Sequence, residues 1–254
     1  MKTKRICRSI AVLALSVMIG ACPAFGEEAQ ETDIQYYAPE WLSQSEALEE
    51  IDQVILVGRT EGTNAKLTMY QRDEDENWYE LLLADAYIGR NGLGKTKAGD
   101  EKTPVGMYHF TEAFGILEDP GCGIGYHQVR QEDYWCGDSE CPWYNLMISE
   151  AEHPDFNRAV SEHLINIDPA YHYCLNISYN EERVPYAGSA IFLHCYSGRQ
   201  DTGGCVAVPE DTMITILQCL LEDCQIIIGE KEDIDRGIWE EAEEEDSAGE
   251  MPEE

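Results

Sequence analysis

The chain has 254 residues and a formal net charge of −33, from 17 basic against 50 acidic side chains. Such an acidic excess excludes nucleic acid and anionic membrane surfaces as partners, because like charges repel across the whole surface. About 230 residues follow the first segment, enough for one medium domain with a real core.

That first segment, MKTKRICRSIAVLALSVMIGACPAFG, opens with Lys2, Lys4, Arg5 and Arg8 and continues with an apolar run from Ile10 to Ile19. A basic start, a short apolar stretch and a small-residue ending before Glu27 form the pattern of an export signal. The run is too short to span a membrane. The expectation for residues 1–26 is a signal peptide cleaved near Gly26, giving an extracellular or cell-wall-associated protein. The stretch IGAC also resembles a bacterial lipobox, which would leave a lipid anchor at Cys22; Pro23 directly after it favours simple cleavage.

Residues 27–51 read as a helical lead-in. Pro39 stands at a helix start, and Trp41, Leu42, Ala47, Leu48 and Ile51 recur near helical spacing. The texture then changes to short strand-like runs broken by Gly, Asn and Asp: QVILVGRT, AKLTMYQRD and WYELLLADAYIG. Next comes GRNGLGKT, Gly89 to Thr96, which has the form of a phosphate-cradling loop. That loop works only when a helix leaves it, so that free N–H groups and the helix dipole converge on phosphate. Here KAGDEKTPVGMYHF follows, and its two glycines and proline cannot begin a helix. The nucleotide-binding reading fails.

Strand-like NLMIS, YCLNISYN and AIFLH follow, with helices expected over HPDFNRAVSEHL and VPEDTMITILQCLLEDC. The second has Glu210 and Asp211 in its first turn and Met213, Ile216, Leu217, Leu220, Leu221 and Cys224 along one face. QIIIG closes the domain as a strand. From residue 230 to 254 the chain is acidic and poor in apolar residues, and reads as a disordered tail. The fold class is mainly β with a few helices, a sandwich or open barrel.

The chemistry concentrates between Ser189 and Met213. A strand ends at His194, a polar loop follows, and Cys205 sits behind two glycines. Without a Cβ at Gly203 or Gly204, substrate can approach the backbone, and the N–H groups of Gly204 and Cys205 can turn toward one point. The parts suit thiol nucleophilic catalysis, with Cys205 as nucleophile and His194 as base. Ser197, Asp201 or a backbone carbonyl could orient His194.

This segment resembles the signature of the YkuD-type L,D-transpeptidases, in which a His on a strand precedes a Ser/Thr-His-Gly-Cys loop. KAGDEKTPVGMYHFTEAFG looks like a second family block, and DYWCGDSECPWYN and YNEERVPYAGSAIFLH extend the likeness over about residues 52–229. The resemblance implies a catalytic domain of L,D-transpeptidase-like sandwich or open-barrel fold there. Cys205 would be its nucleophile, His194 its base, Thr202 a support for the loop, and Gly204 and Cys205 its oxyanion donors. Gly203 stands where the family has His, Ala207 where Arg or Asn is frequent, and the loop from His194 to Cys205 is shorter than usual.

The implied partners are peptidoglycan stem peptides. Cys205 would form a thioester with the third residue of a tetrapeptide stem and release D-alanine, and a second stem's amine would complete the cross-link. Water in place of the amine would make it an L,D-carboxypeptidase. A third reading, supported by Gly203, is a non-catalytic wall-binding module on the same fold. No metal or diffusible cofactor is implied, and no short C-x-x-C spacing suggests one.

Eight cysteines lie beyond the signal. Setting Cys205 aside leaves an odd number, so not all can pair within the chain. Cys136 and Cys141 bracket a small loop that a disulfide could close. Tyr126, Trp135, Trp143 and Tyr144 are read either as packing or as contacts to substrate.

Overall fold

A computed structural model describes residues 38–239. The expected signal peptide, its cleavage site and Cys22 lie outside the described residues, as do residues 240–254 of the expected tail.

Three long strands come first, β1 (Gln53–Glu61), β2 (Asn64–Arg72) and β3 (Trp78–Tyr87), followed by β4 (Gly106–Gly115) and β5 (Tyr126–Gln128). A small antiparallel sheet is made by β6 (Asp133–Trp135), β7 (Met147–Ser149) and β8 (Glu162–His163). The chain returns to the main sheet through β9 (Cys174–Ile177), β10 (Phe192–Cys195) and β11 (Val206–Val208). Helix α1 (Glu210–Cys219), β12 (Gln225–Glu230) and the single turn α2 (Lys231–Ile234) finish the fold. The main sheet has nine strands in the order β12-β1-β2-β3-β11-β10-β9-β4-β5, and β12 also pairs with β4. That last pairing closes the strands from β12 to β4 into a ring. The seam between β3 and β11 is thin, a single pair of Ala207 with Tyr87.

Alternation along the strands explains the layers. On β1, Ile55 and Val57 point into the ring beside Leu67, Met69, Leu175, Leu193 and Ile226, while Val54 and Leu56 face outward. A strand buried on both sides is apolar on both, as Val54, Ile55, Leu56 and Val57 are. Helix α1 stops one end of the interior with Met213, Ile216 and Leu217, the spacing that puts three side chains on one helix face. On the outside, Leu42, Leu48 and Ile234 cover Val54, Leu56 and Ile227.

A second outer cluster matters more for function. Phe114, Cys174 and Phe192 on the outer face of β4, β9 and β10 pack against Trp135, Leu164 and Tyr171 from the small sheet and its connections, with Cys205 among them. Trp135 stands 4.8 Å from Phe192 and Tyr171 5.4 Å from it, both edge-on, an arrangement aromatic quadrupoles favour.

Four expectations need correction. Residues 27–37 of the lead-in lie outside the described residues, and its described part is two 3₁₀ turns, Glu40–Ser43 and Glu46–Leu48, in place of one α-helix. The segment around Pro154 forms no α-helix either: a 3₁₀ turn, Arg158–Val160, leads into β8. There Ala159 N–H is taken by Asn157 Oδ1, and the Ser161 hydroxyl donates to Asn157 O, so local side chains divert the backbone from helical bonding. The tail does not begin at residue 230, because Ile234 is buried and Trp239 lies 5.1 Å from Trp41. Helix α1 ends at Cys219, so Leu221 and Cys224 leave its face.

Candidate active site

His194 lies within β10, not at its end, opposite Cys174 of β9 and Ala207 of β11. Strand alternation sends Cys195 into the ring interior and His194 to the outer face, beside the ring of Tyr171 at 5.6 Å. His194 Nδ1 faces the Cys195 carbonyl at 2.8 Å. A carbonyl only accepts, so Nδ1 carries the proton and Nε2 is left with a free lone pair. Of the three candidates for orienting His194, the backbone carbonyl does it. Ser197 is exposed, and Asp201 pairs with Arg90 and Arg199.

Cys205 sits one residue before β11 and is 7% exposed, as is His194. Its sulfur receives the Phe192 N–H at 3.3 Å and its thiol donates to Ala190 O at 3.2 Å. Burial pushes the thiol up to about 12, helped by the charge of Glu162 and opposed by Phe192 N–H and Lys95. Burial lowers His194 to about 4, opposed by its bond to Cys195 O. At neutral pH the resting pair is therefore thiol and imidazole, not thiolate and imidazolium.

The loop carrying Cys205 is fixed from two sides. Thr202 Oγ1 receives Gly204 N–H at 3.1 Å and donates to Cys205 O at 2.6 Å. The Thr202 backbone bridges the strip after β3, with its N–H on Ile88 O at 3.0 Å and its carbonyl accepting Arg90 N–H at 3.0 Å. Thr103 Oγ1 accepts Gly89 N–H at 2.8 Å and donates to Cys205 O at 3.3 Å. The phosphate-loop look-alike is thus the floor under the Cys205 loop. A Cβ on Gly89 would lie 2.6 Å from Glu101 O, and only glycine fits.

One expected role changes. Gly204 N–H is occupied by Thr202, so it is not a free oxyanion donor, whereas Cys205 N–H has no bond among the described residues. Gly204 serves the loop differently: its φ is 142°, and a Cβ there would meet Lys102 O at 2.8 Å. Gly203 is exposed with open space around it, so nothing nearby demands a glycine.

Two groups had no signal in the local sequence around the cysteine. Lys95 and Asp100 form an ion pair at 2.8 Å with side chains only 3% and 7% exposed. Asp100 also accepts the N–H groups of Thr96, Lys97 and Lys102; burial pushes its carboxyl up, but Lys95 and these donors outweigh that and bring it to about 2. A Cβ on Gly204 would sit 3.6 Å from Lys95 Nζ, which places this ammonium against the Cys205 loop. On the other side, Glu162 Oε2 accepts the Tyr171 hydroxyl at 2.5 Å. Desolvation raises the Glu162 carboxyl, opposed by that bond.

Asn145 joins the small sheet to this centre. Its Oδ1 accepts Trp135 Nε1–H at 3.1 Å and Ala190 N–H at 3.0 Å, and its Nδ2 donates to Tyr179 O and Asn180 O. A cavity of about 350 Å³ opens beside it, lined by Glu112, Trp135, Asn145, Asn176, Tyr179 and Glu181 among others. The expected aromatics divide: Trp135 and Tyr144 are buried packing, Tyr126 bonds Leu117 O, and Trp143 is exposed against His153. Cys136 and Cys141 are buried together as free thiols, with no disulfide closing their loop.

Among the described residues no helix is long and apolar enough to cross a membrane. A search of curated proteins finds no match. The family model of the L,D-transpeptidase catalytic domain, YkuD, matches residues 52–228, which span the ring except for the last two residues of β12 and include every residue of the centre just described. The chain belongs to the L,D-transpeptidase catalytic-domain family.

Proposed function

We propose that this member of a peptidoglycan-directed transferase family uses Cys205 as its nucleophile on a tetrapeptide stem. The thiol attacks the carbonyl of the third residue while His194 Nε2 takes its proton. The tetrahedral oxyanion forms against Cys205 N–H, the free donor of the loop. The proton passes to the leaving nitrogen, D-alanine departs and a thioester remains. An amine from a second stem then attacks the thioester, forms the cross-link and returns the thiol. The N-terminal pattern supports placing this work outside the cytoplasm.

The observation that carries the reading is the fixed tautomer: the Cys195 carbonyl holds the proton on Nδ1 and leaves Nε2 a base on the face that carries Cys205. With His194 near 4 and the thiol near 12, a preformed ion pair is costly, so proton transfer accompanies attack. Replacing His194 by Ala should lower D-alanine release from a disaccharide-tetrapeptide by about 10²- to 10⁴-fold. A rate within threefold of the parent would remove His194 from the mechanism. Product analysis separates cross-linked dimer from trimmed tripeptide, and with it transpeptidase from carboxypeptidase.

A further inference from the structure

Among the described residues, Glu162 is the carboxylate whose charge opposes ionisation of the Cys205 thiol. It lies on β8 opposite Trp135 of β6, and Trp135 packs on Phe192, the residue whose N–H meets the Cys205 sulfur. Its Oε2 holds the Tyr171 hydroxyl, and the Tyr171 ring borders His194. Its Oε1 has no hydrogen-bond partner among the described residues and keeps some solvent contact, since Trp41 Nε1 is the only fully buried side-chain N or O atom there without one. No lysine or arginine pairs with Glu162 there. The titratable groups around it are Tyr171, Cys174 and Cys205, none of them cationic.

A half-buried carboxylate beside a nucleophile that it hinders is costly unless a cation arrives during the reaction. The transfer step supplies one, because a primary amine reaches the enzyme as an ammonium at neutral pH. We propose that Glu162 is the acceptor site, holding the attacking primary ammonium through Oε1 beside the thioester on Cys205 and so favouring transfer over hydrolysis. The ammonium gives one proton to the Glu162 carboxylate, and the freed nitrogen attacks the thioester carbon. A second proton passes from that nitrogen to His194 Nε2 and then to sulfur as the C–S bond breaks. An amide, a thiol and a protonated Glu162 result, and Glu162 returns its proton to solvent. Burial raises the Glu162 carboxyl, which makes it a stronger base for this task.

This inference rests on the transpeptidase reading, and the experiment keeps the two apart. The acyl-enzyme is formed from a disaccharide-tetrapeptide and its mass recorded before any acceptor is added. Absence of the adduct is a failure of the thioester reading, and it overturns the acceptor site with it. With adduct present, a stem bearing a free side-chain amine is titrated in, and cross-linked and hydrolysed products are counted for the parent and Glu162→Gln. The amide still accepts the Tyr171 hydroxyl, so a merely structural role is preserved. The acceptor concentration that divides products equally should rise about tenfold or more in the variant, and Glu162→Asp should recover part of the loss. Cleavage by hydroxylamine, a neutral nucleophile, should show no such difference.

On the parent itself, a trimethylammonium analogue of the acceptor should compete with transfer and not with hydroxylamine, a readout independent of whether a variant folds. Equal partition in parent and Glu162→Gln, or no competition by the quaternary cation, overturns the proposal. A loss confined to acylation by donors with a free side-chain amine, absent when that amine is acetylated, also overturns it and gives the carboxylate to the donor stem.

Discussion

His194 and Cys205 illustrate how a pair of residues acquires its chemistry from burial more than from identity. Both are 7% exposed, and the same desolvation that keeps the thiol protonated keeps the imidazole neutral. The linkage has a definite sign. Between the ordinary histidine value of 6.5 and the folded value near 4, only the unfolded chain takes the proton, so stability falls as pH drops through that window. The shift corresponds to about 3 kcal/mol, lost by pH 4. Urea midpoints measured from pH 7 to 4 should fall less steeply in His194→Gln than in the parent; superimposable curves would show that His194 is not held neutral. At this scale the pair proposed as nucleophile and base was legible, since a strand-borne His followed by Gly-Gly-Cys is a local pattern. The donor role of Gly204 was not, because spacing cannot reveal that Thr202 already holds its N–H. Glu162 was not legible either, since it reaches the centre from β8, more than thirty residues before His194 and Cys205 in the chain.

Among elements, the strip from Gly89 to Thr103 shows how a misleading motif acquires a real use. Its Gly89 serves a close approach of backbones, Gly92, Gly94 and Gly99 take positive φ, and Lys95 pairs with Asp100. Breaking a buried pair from one side leaves an uncompensated charge, so Lys95→Met should cost about 3–5 kcal/mol in a urea melt. Lys95→Met with Asp100→Asn should recover much of that stability yet slow alkylation of Cys205 by iodoacetamide, because the ammonium no longer favours the thiolate. A single variant within about 0.5 kcal/mol of the parent would make the pair no more than a surface bridge. Elements with a strong apolar pattern, β1 to β3 and α1, were legible in the sequence. The segment Asn157 to His163 was not, because polar side chains close its turns and the pairing of β8 with β6 is a tertiary choice.

At the scale of the whole described chain, the strands form a ring with the proposed reactive centre on its outer face, roofed by a small sheet. The mainly β class followed from short broken apolar runs, but closure through β12 and β4 did not, since strand partners far apart in sequence leave no local trace. The net charge of −33 repels anionic polymers, so a stem peptide must be held by contacts within the site rather than by long-range attraction. Fold, loop and base all converge on one sulfur atom. The most direct measurement is intact-mass spectrometry of the reduced, folded protein after a disaccharide-tetrapeptide is added, beside Cys205→Ala. The account predicts a mass gain equal to the donor less one D-alanine on the parent and none on the variant. A parent without any adduct, or a variant that still carries one, would contradict it.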